Sequence, residues 1–381
     1  MDIAVILIFV VGCALLIGGA EVLVRHASAL AMTVGIPPLI IGLTIVAYGT
    51  SAPELAVSVQ SSYSGQGELA VGNLIGSNIA NILLILGASA VVTPLVVSKQ
   101  IIRLEVPLMI GISIATFLMG WNHAIDRLEA GILFAGAVGY TGFIIFQSLQ
   151  DETATQAVLD ELPDDLPAAG ERSLIPPIAV RLLWIVFSFG LLILGSRALV
   201  YSASAIARAF GLSELIIGLT VVAIGTSLPE LATSVMASLK GERDIAIGNV
   251  IGSNIFNLLF VMGVSGLVSP QPLPVASPAL RFDLPVMVAV AIACLPIFFT
   301  GSRVDRWEGL LFLGYYIAYT SYLVFNATQH DSIEVFSSLV LVLVSLLTLV
   351  ALMGWIMQMI RTFKVMRRRQ RRKANVQDSD S

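Results

Sequence analysis

Two carboxylates, Glu54 and Glu230, stand in apolar segments where a lipid-facing helix would carry none, and each sits in a copy of one motif. Residues 42–63 read GLTIVAYGTSAPELAVSVQSSY, and residues 218–239, offset by 176, read GLTVVAIGTSLPELATSVMASL. Of these 22 positions 15 are identical, too many for two hydrophobic runs that share only a composition. An ionisable side chain at bilayer depth costs at least ~2.5 kcal/mol, so it faces a protein interior or a water-filled path. Thr50 precedes Glu54 by four residues, as Thr226 precedes Glu230, so each hydroxyl shares a helix face with its acid. Pro53 and Pro229 lack a backbone donor, which leaves the carbonyls of Gly49 and Gly225 without helical partners inside a span. Each copy therefore gathers carboxylate, hydroxyl and carbonyl oxygens.

A second element follows each motif: AVGNLIGSNIANILLILG at 70–87 and AIGNVIGSNIFNLLFVMG at 246–263. Asn73, Ser77 and Asn81 recur every fourth residue, a polar stripe on an apolar helix, and Asn249, Ser253 and Asn257 repeat it. Gly72 with Gly76, and Gly248 with Gly252, form the GxxxG spacing that lets helices approach closely. Serine, threonine and asparagine also glue membrane helices without binding anything, so the asparagines alone prove no site. The two acids are different, because neither motif offers a basic partner. Hard oxygen donors without Cys or His favour Ca²⁺, Na⁺, Mg²⁺ or protons, and flexible mixed ligation suits Ca²⁺ better than Mg²⁺. Two carboxylates neutralise one Ca²⁺ or two monovalent ions. A site that alternates between those loads is the minimum an exchanger needs.

Such a site requires helices that span a membrane. Charged residues make up 12% of the 381-residue chain and apolar ones 57%, with a mean hydropathy of +0.91. Soluble domains carry about 25% charged residues. Apolar stretches near the ~20 residues that cross a bilayer recur along the chain, and they lack the alternation of barrel strands. Eleven spans are expected, centred near Gly12, Tyr48, Leu83, Ser113, Gly136, Leu191, Ile224, Leu259, Ala291, Gly314 and Leu346. The opening MDIAVILIFVVGCALLIGG carries an acid before its apolar run and reads as a first span, not a cleaved signal. Cys13 and Cys294 lie singly in apolar segments, and His26, His123 and His330 lie apart near predicted helix ends; neither set suggests a metal cluster or disulfide framework.

The duplication extends beyond the motif. Gly19-Ala20-Glu21 matches Gly195-Ser196-Arg197, Arg103–Pro107 resembles Arg281–Pro285, and Asp126-Arg127-Leu128-Glu129 resembles Asp305-Arg306-Trp307-Glu308. Five spans per copy is an odd number, so the second copy enters the membrane from the opposite side. The expected fold is all-α and polytopic: two inverted five-helix repeats, 1–149 and 178–328, with a site at their interface. An acidic linker, 150–177, joins them, and an extra span, 329–362, and a basic tail, 363–381, follow. With the N-terminus outside, Arg25, Lys99, Arg103, Arg172, Arg181, Lys240, Arg243, Arg303 and Arg306 gather inside. Arg127, Arg208 and Arg281 lie outside. The tail, with its MRRRQRRK run, then returns to the cytoplasmic face of a plasma (inner) membrane. Glu21 and Arg197 occupy equivalent positions, and near the two-fold axis such positions can meet in a direct ion pair; the alternative is that both snorkel to opposite interfaces.

The paired GTSxPE and GNxIGSNIxN segments resemble the α-repeats of the cation/Ca²⁺ exchanger superfamily, most closely prokaryotic sodium/calcium exchangers. The resemblance spans roughly residues 12–322. It implies the inverted five-plus-five fold and export of Ca²⁺ against Na⁺ by alternating access. It also implies ion ligands at Thr50, Ser51, Glu54, Ser77 and Asn81, and at Thr226, Ser227, Glu230, Ser253 and Asn257. The carbonyls of Ala47 and Ala223 match further backbone ligands. One departure stands out: many sodium/calcium exchangers carry Asp where this chain has Asn257. Ca²⁺/H⁺ exchange is the alternative, because paired buried carboxylates favour protonation. A passive channel fits a broken, duplicated site less well. No cofactor, nucleic-acid or enzyme signature is present; metal-hydrolase spacing, nucleophile elbow and phosphate loop are all missing.

Overall fold

A computed structural model describes residues 3–150, 177–211, 214–217, 220–221, 223–299 and 302–328. The first half contains α1 (Ile3–Val34), α2 (Pro38–Thr50), α3 (Ala52–Tyr63), α4 (Gly67–Val92), β1 (Leu95–Val96), α5 (Ile101–Asn122), β2 (Ala124–Ile125) and α6 (Arg127–Gln150). The second half contains α7 (Pro177–Ala209), α8 (Glu214–Ile217), α9 (Ala223–Gly225), α10 (Leu228–Lys240), α11 (Arg243–Val268), β3 (Leu273–Pro274), α12 (Ala279–Phe298), β4 (Arg303–Val304) and α13 (Arg306–Ala327). Among the described residues eight helices are long and apolar enough to cross a membrane, and α2 with α3 makes a ninth span bent by 47°. The seventh expected span, near Ile224, is described only as α8, α9 and α10. The linker, the span near Leu346 and the basic tail lie outside the described residues.

Two small strand pairs prove the inversion. β1 pairs antiparallel with β4 (Leu95 opposite Val304), and β2 with β3 (Ala124 opposite Pro274). β1 and β2 flank α5, whose 22 residues rise about 33 Å. The two pairs therefore cap opposite membrane faces. β1 and β3 each follow the GNxIGSNIxN helix of their own half, so equivalent loops lie on opposite faces. The two five-helix repeats run through the membrane in opposite senses.

α4 and α11 form the centre: 72% and 94% of their apolar windows are buried, against 22% in α1 and in α7 and 11% in α13. The outer helices present Ile6, Leu7, Val10, Leu183, Val186, Phe187 and Ile317, the apolar belt that lipid requires. α1 and α7, equivalent helices, cross where glycine removes bulk: a Cβ on Gly195 would stand 2.9 Å from the Gly12 carbonyl. Glu21 on α1 pairs with Lys240 at the end of α10 (3.1 Å) rather than with Arg197. A partly exposed pair at a helix end keeps both charges near water, which an intramembrane pair on the axis would forgo.

The repeated Asp-Arg-x-Glu sequence has a structural purpose. Asp126 and Glu129 close a capping box, Asp126 Oδ1 accepting from the Glu129 amide (2.8 Å) and Glu129 Oε2 from the Asp126 amide (2.9 Å). Asp305 and Glu308 do the same at α13. The intervening arginines reach across to the other repeat: Arg127 donates to the Ser269 carbonyl (3.1 Å) and Arg306 to the Val92 carbonyl (3.3 Å), each at the C-terminal end of a central helix. Cations there complement the helix dipole. Asp126→Ala is expected to cost ~1 kcal/mol by loss of the cap. Its check is a lower thermal midpoint in detergent with Ca²⁺ affinity unchanged.

Candidate functional site

The sequence breaks its own helix where the acids are needed. Ser51 (φ −80°, ψ 9°) and Ser227 (φ −87°, ψ 7°) leave helical geometry, and Pro53 and Pro229 sit in the first turn of α3 and α10, where a missing N–H is tolerated. Glu54 and Glu230 occupy the same first turns, so each carboxylate stands at the positive end of a half-helix dipole. Both are buried, at 0% and 1% exposure, in the middle of the molecule.

The halves exchange hydrogen bonds across the pseudo-two-fold axis. Ser51 Oγ donates to Glu230 Oε1 (2.8 Å), and its counterpart Ser227 donates to Glu54 Oε1 (3.1 Å). Ser77 Oγ adds a bond to Glu54 Oε1 (3.4 Å) and lies 3.4 Å from Ser227 Oγ. Thr50 Oγ1 donates to Asn249 Oδ1 (3.0 Å). The second carboxylate oxygens, Glu54 Oε2 and Glu230 Oε2, are buried without a protein partner, as are Thr226 Oγ1, Ser253 Oγ, Asn81 Oδ1 and Asn257 Oδ1. Buried polar oxygens without partners are rare; these six lie on residues singled out from the sequence, while Ser62, Ser89, Thr116, Thr233 and Ser265 carry others outside that set. Asn81, Ser253 and Asn257 make no bond to either acid; they lie on the same α4 and α11 stripes as Ser77 and Asn249, which do touch motif groups.

Backbone carbonyls fit the expectation less well. The Gly225 carbonyl accepts from Ser196 Oγ on α7 at 2.5 Å, so the bond removed by proline is replaced by a hydroxyl. The Ala47 carbonyl accepts from the Ser51 amide (3.1 Å) and from Thr50 Oγ1 (3.3 Å). In the second half Ser227 bonds to Ile224 instead (3.1 Å), and Ala223 begins α9.

The two halves are not in the same conformation. Gly248 and Gly252 seat α2 tightly on α11: a Cβ on Gly252 would stand 2.7 Å from the Leu43 carbonyl and 2.9 Å from Ala47 Cβ. Among the described residues, nothing lies within 4 Å of a Cβ built on their counterparts Gly72 and Gly76. Thr50 reaches Asn249, whereas Thr226 makes no bond to the equivalent Asn73, which bonds within its own half to Ser58 (3.1 Å). The GxxxG spacing thus serves close packing of α2 on α11. One motif helix is closed on the facing central helix, α2 on α11.

Some contributors were absent from the expected ligand set, among them Asn249, read from the sequence only as a member of the polar stripe. Asn249 also ties Ser234 Oγ (2.9 Å) and the Glu230 carbonyl (3.4 Å), so it positions the acid-bearing half-helix. Asn78 bridges to the other repeat and appears in the repeated GSN triplet, although off the stripe defined by Asn73, Ser77 and Asn81. A second pair of acids is also duplicated. Glu105 accepts from Tyr140 OH (2.6 Å) on one oxygen and Gln100 Nε2 (3.1 Å) on the other, and Asp283 accepts from Tyr319 OH (2.9 Å). Glu105 is satisfied on both oxygens by neutral donors, whereas Glu54 and Glu230 each keep one oxygen in reserve. That contrast separates structural carboxylates from candidate ligands. Among the described residues no three His, Cys, Asp or Glu side chains cluster as a metal site, so any bound cation would rely on hydroxyl and amide oxygens beside the two acids.

Comparison with known proteins agrees with this geometry. The family model described as sodium/calcium exchanger protein matches residues 4–146 and 180–325, one segment per repeat. The chain is 42% identical over 322 residues to the putative antiporter CaxA of Alkalimonas amylolytica, covering 83% of this chain and 97% of that protein. It is 33% identical over 339 residues to the sodium/calcium exchanger MaX1 of Methanosarcina acetivorans, covering 82% and 96%. A solved structure of the sodium-calcium exchanger NCX_Mj superimposes with a TM-score of 0.69 at 28% identity, over 83% of this chain and 97% of that one. Two inverted repeats, each with its buried acid and its GNxIGSNIxN helix, and matches of this extent place the chain in the sodium/calcium exchanger family.

Proposed function

We propose that the chain exports Ca²⁺ in exchange for Na⁺ by alternating access, with the ions held between the repeats. As a family member it is a multi-pass cation/Ca²⁺ antiporter, not an enzyme; the coupling ion and the ligand set are our reading. The ligands in this proposal are Glu54 and Glu230 with the oxygens of Thr50, Ser51, Ser77, Asn81, Thr226, Ser227, Ser253 and Asn257, and the Ala47 and Ala223 carbonyls. The observation that carries it is the pair of buried carboxylates, each with one oxygen bonded to the other repeat's serine and one without a protein partner. Two such oxygens supply the charge that Ca²⁺ needs and the flexible oxygen ligation that suits it. We place the protein in the plasma (inner) membrane with its N-terminus outside and its basic tail inside, on the distribution of Lys and Arg.

A proton in place of Na⁺ is the second reading, favoured by the absence of any bonded cationic side chain at Glu54 and Glu230 among the described residues. Ca²⁺ uptake into inverted vesicles separates the two: an outward Na⁺ gradient drives it under the first reading, and only a pH gradient under the second. Charge movement is a further expectation. With Asn at 81 and 257 the site holds −2, so one Ca²⁺ or two Na⁺ leave it neutral and a third Na⁺ leaves +1. The repeated hydroxyl and amide oxygens can solvate that third ion without another formal charge. Exchange should therefore respond to an imposed membrane potential at fixed ion and pH gradients. Voltage-indifferent exchange would mean that only two monovalent charges balance each Ca²⁺.

A further inference from the structure

At the crossing of α4 and α11 four asparagines meet, and two of them have no part in the ligand set above. Asn78 Nδ2 donates to the Asn254 backbone carbonyl (3.2 Å), while Asn78 Oδ1 accepts from Asn257 Nδ2 (3.1 Å). All four side chains are 1–3% exposed or less. A backbone carbonyl can only accept, so it fixes which end of the Asn78 amide is nitrogen. Asn78 must then offer its oxygen to Asn257. Asn257 must answer with its nitrogen, which turns Asn257 Oδ1 away from Asn78 and leaves it buried with no protein partner. One carbonyl thus sets the orientation of two amides in series, and the last atom in the series is an oxygen on the Asn249–Ser253–Asn257 stripe.

The repeat supplies the mirror arrangement, unmade. Exchanging the halves converts these bonds into Asn254 Nδ2 to the Asn78 carbonyl and Asn81 Nδ2 to Asn254 Oδ1. Here the Asn81 and Asn254 side-chain amides are buried and have no protein partner at all. Inverted-repeat transporters reach the opposite-facing state as one repeat or bundle rocks against the other. The unused bonds therefore belong to that state. We propose that Asn78 and Asn254 are positioning residues: each turns the last asparagine of the other repeat, Asn257 or Asn81, oxygen-first toward the cation, and each does so in one access state only. The device matters in this chain because an amide has one oxygen and can face an ion the wrong way. A carboxylate at 257 would need no such guidance. The inference rests on Asn257 contributing to the cation site.

The test is a double-mutant cycle on Ca²⁺ transport by the full chain in oriented vesicles, with Asn257→Ala as reference. Asn78→Ala should raise the apparent KM for Ca²⁺ roughly fivefold, the scale of one lost orienting hydrogen bond, with the maximal rate retained. In an Asn257→Asp background the same Asn78→Ala change should leave KM within about twofold, because either carboxylate oxygen serves. A residue that only packed the helix crossing would impair both backgrounds equally. Asn254→Ala breaks no side-chain bond in the present state, so it should fold normally, and it should raise KM from the membrane face opposite to that affected by Asn78→Ala. Equal KM rises in both backgrounds, no rise in either, or an Asn254→Ala effect on the same face as Asn78→Ala would overturn the proposal. If Asn257→Ala itself leaves Ca²⁺ transport unchanged, the ligand assignment fails and takes this inference with it; if Asn257→Ala is damaging and Asn78→Ala silent, only the inference fails.

Discussion

Glu54→Gln or Glu230→Gln is expected to abolish Ca²⁺ exchange in reconstituted vesicles while leaving a folded, purifiable protein. Each change removes one of the two carboxylates available to neutralise Ca²⁺ and keeps the shape of the side chain. Removing one partner from a buried charge pair costs about 3–5 kcal/mol, equivalent to at least two orders of magnitude in binding. The fold should survive, because the serine bonds can persist to a neutral amide: Ser51 to position 230 and Ser227 to position 54. Glu105→Gln is the control. Its oxygens are already taken by Tyr140 and Gln100, and the tyrosine hydroxyl can turn to accept from the new amide, so exchange should stay within about threefold of the parent. Ca²⁺ transport at the parental rate by either motif variant would remove both acids from the site.

The acids were legible in the sequence because a membrane makes charge conspicuous. In a soluble protein, Glu54 and Glu230 would be two carboxylates among many; in a span each needs a reason. The inverted architecture was legible for a related reason, since an odd number of spans in a tandem repeat dictates the sense of the second copy, and the β1–β4 and β2–β3 pairings obey it. What the sequence could not supply was the choice of partner within a polar stripe. The expected Glu21–Arg197 pair followed from symmetry, but Lys240 approaches from the end of α10 at a wetter position. The free carbonyl inferred at Gly225 is met by Ser196, whose counterpart in the first half is Ala20 and offers no hydroxyl. Near-identical motifs gave no hint of the conformational difference between the halves. A sequence encodes both states of such a protein at once, and only coordinates record which one is adopted.

That difference carries its own expected result. Gly252→Ala and Gly76→Ala should each cut exchange about tenfold or more and should trap opposite states. In the closed half, a Cβ on Gly252 overlaps the Leu43 carbonyl and Ala47 Cβ at 2.7 and 2.9 Å, contacts that backbone cannot yield without α2 lifting from α11. Overpacking of this kind costs about 1–3 kcal/mol, enough to reverse an equilibrium between two access states that lie close in energy. Gly252→Ala should thus disfavour the present conformation. Among the described residues nothing lies within 4 Å of a Cβ on Gly76, so that Cβ should be harmless until the second motif helix closes on α4, and Gly76→Ala should hold the protein as it stands. Accessibility of Asn73 reads the outcome, because it is half-buried on α4 whereas its counterpart Asn249 is fully buried. With Cys13 and Cys294 replaced, a membrane-impermeant thiol reagent should label Asn73→Cys readily in the Gly76→Ala protein, and slowly in the Gly252→Ala protein. Equal labelling in the two backgrounds, or fast labelling with Gly252→Ala, would show that the packing of α2 on α11 does not govern access to the acids.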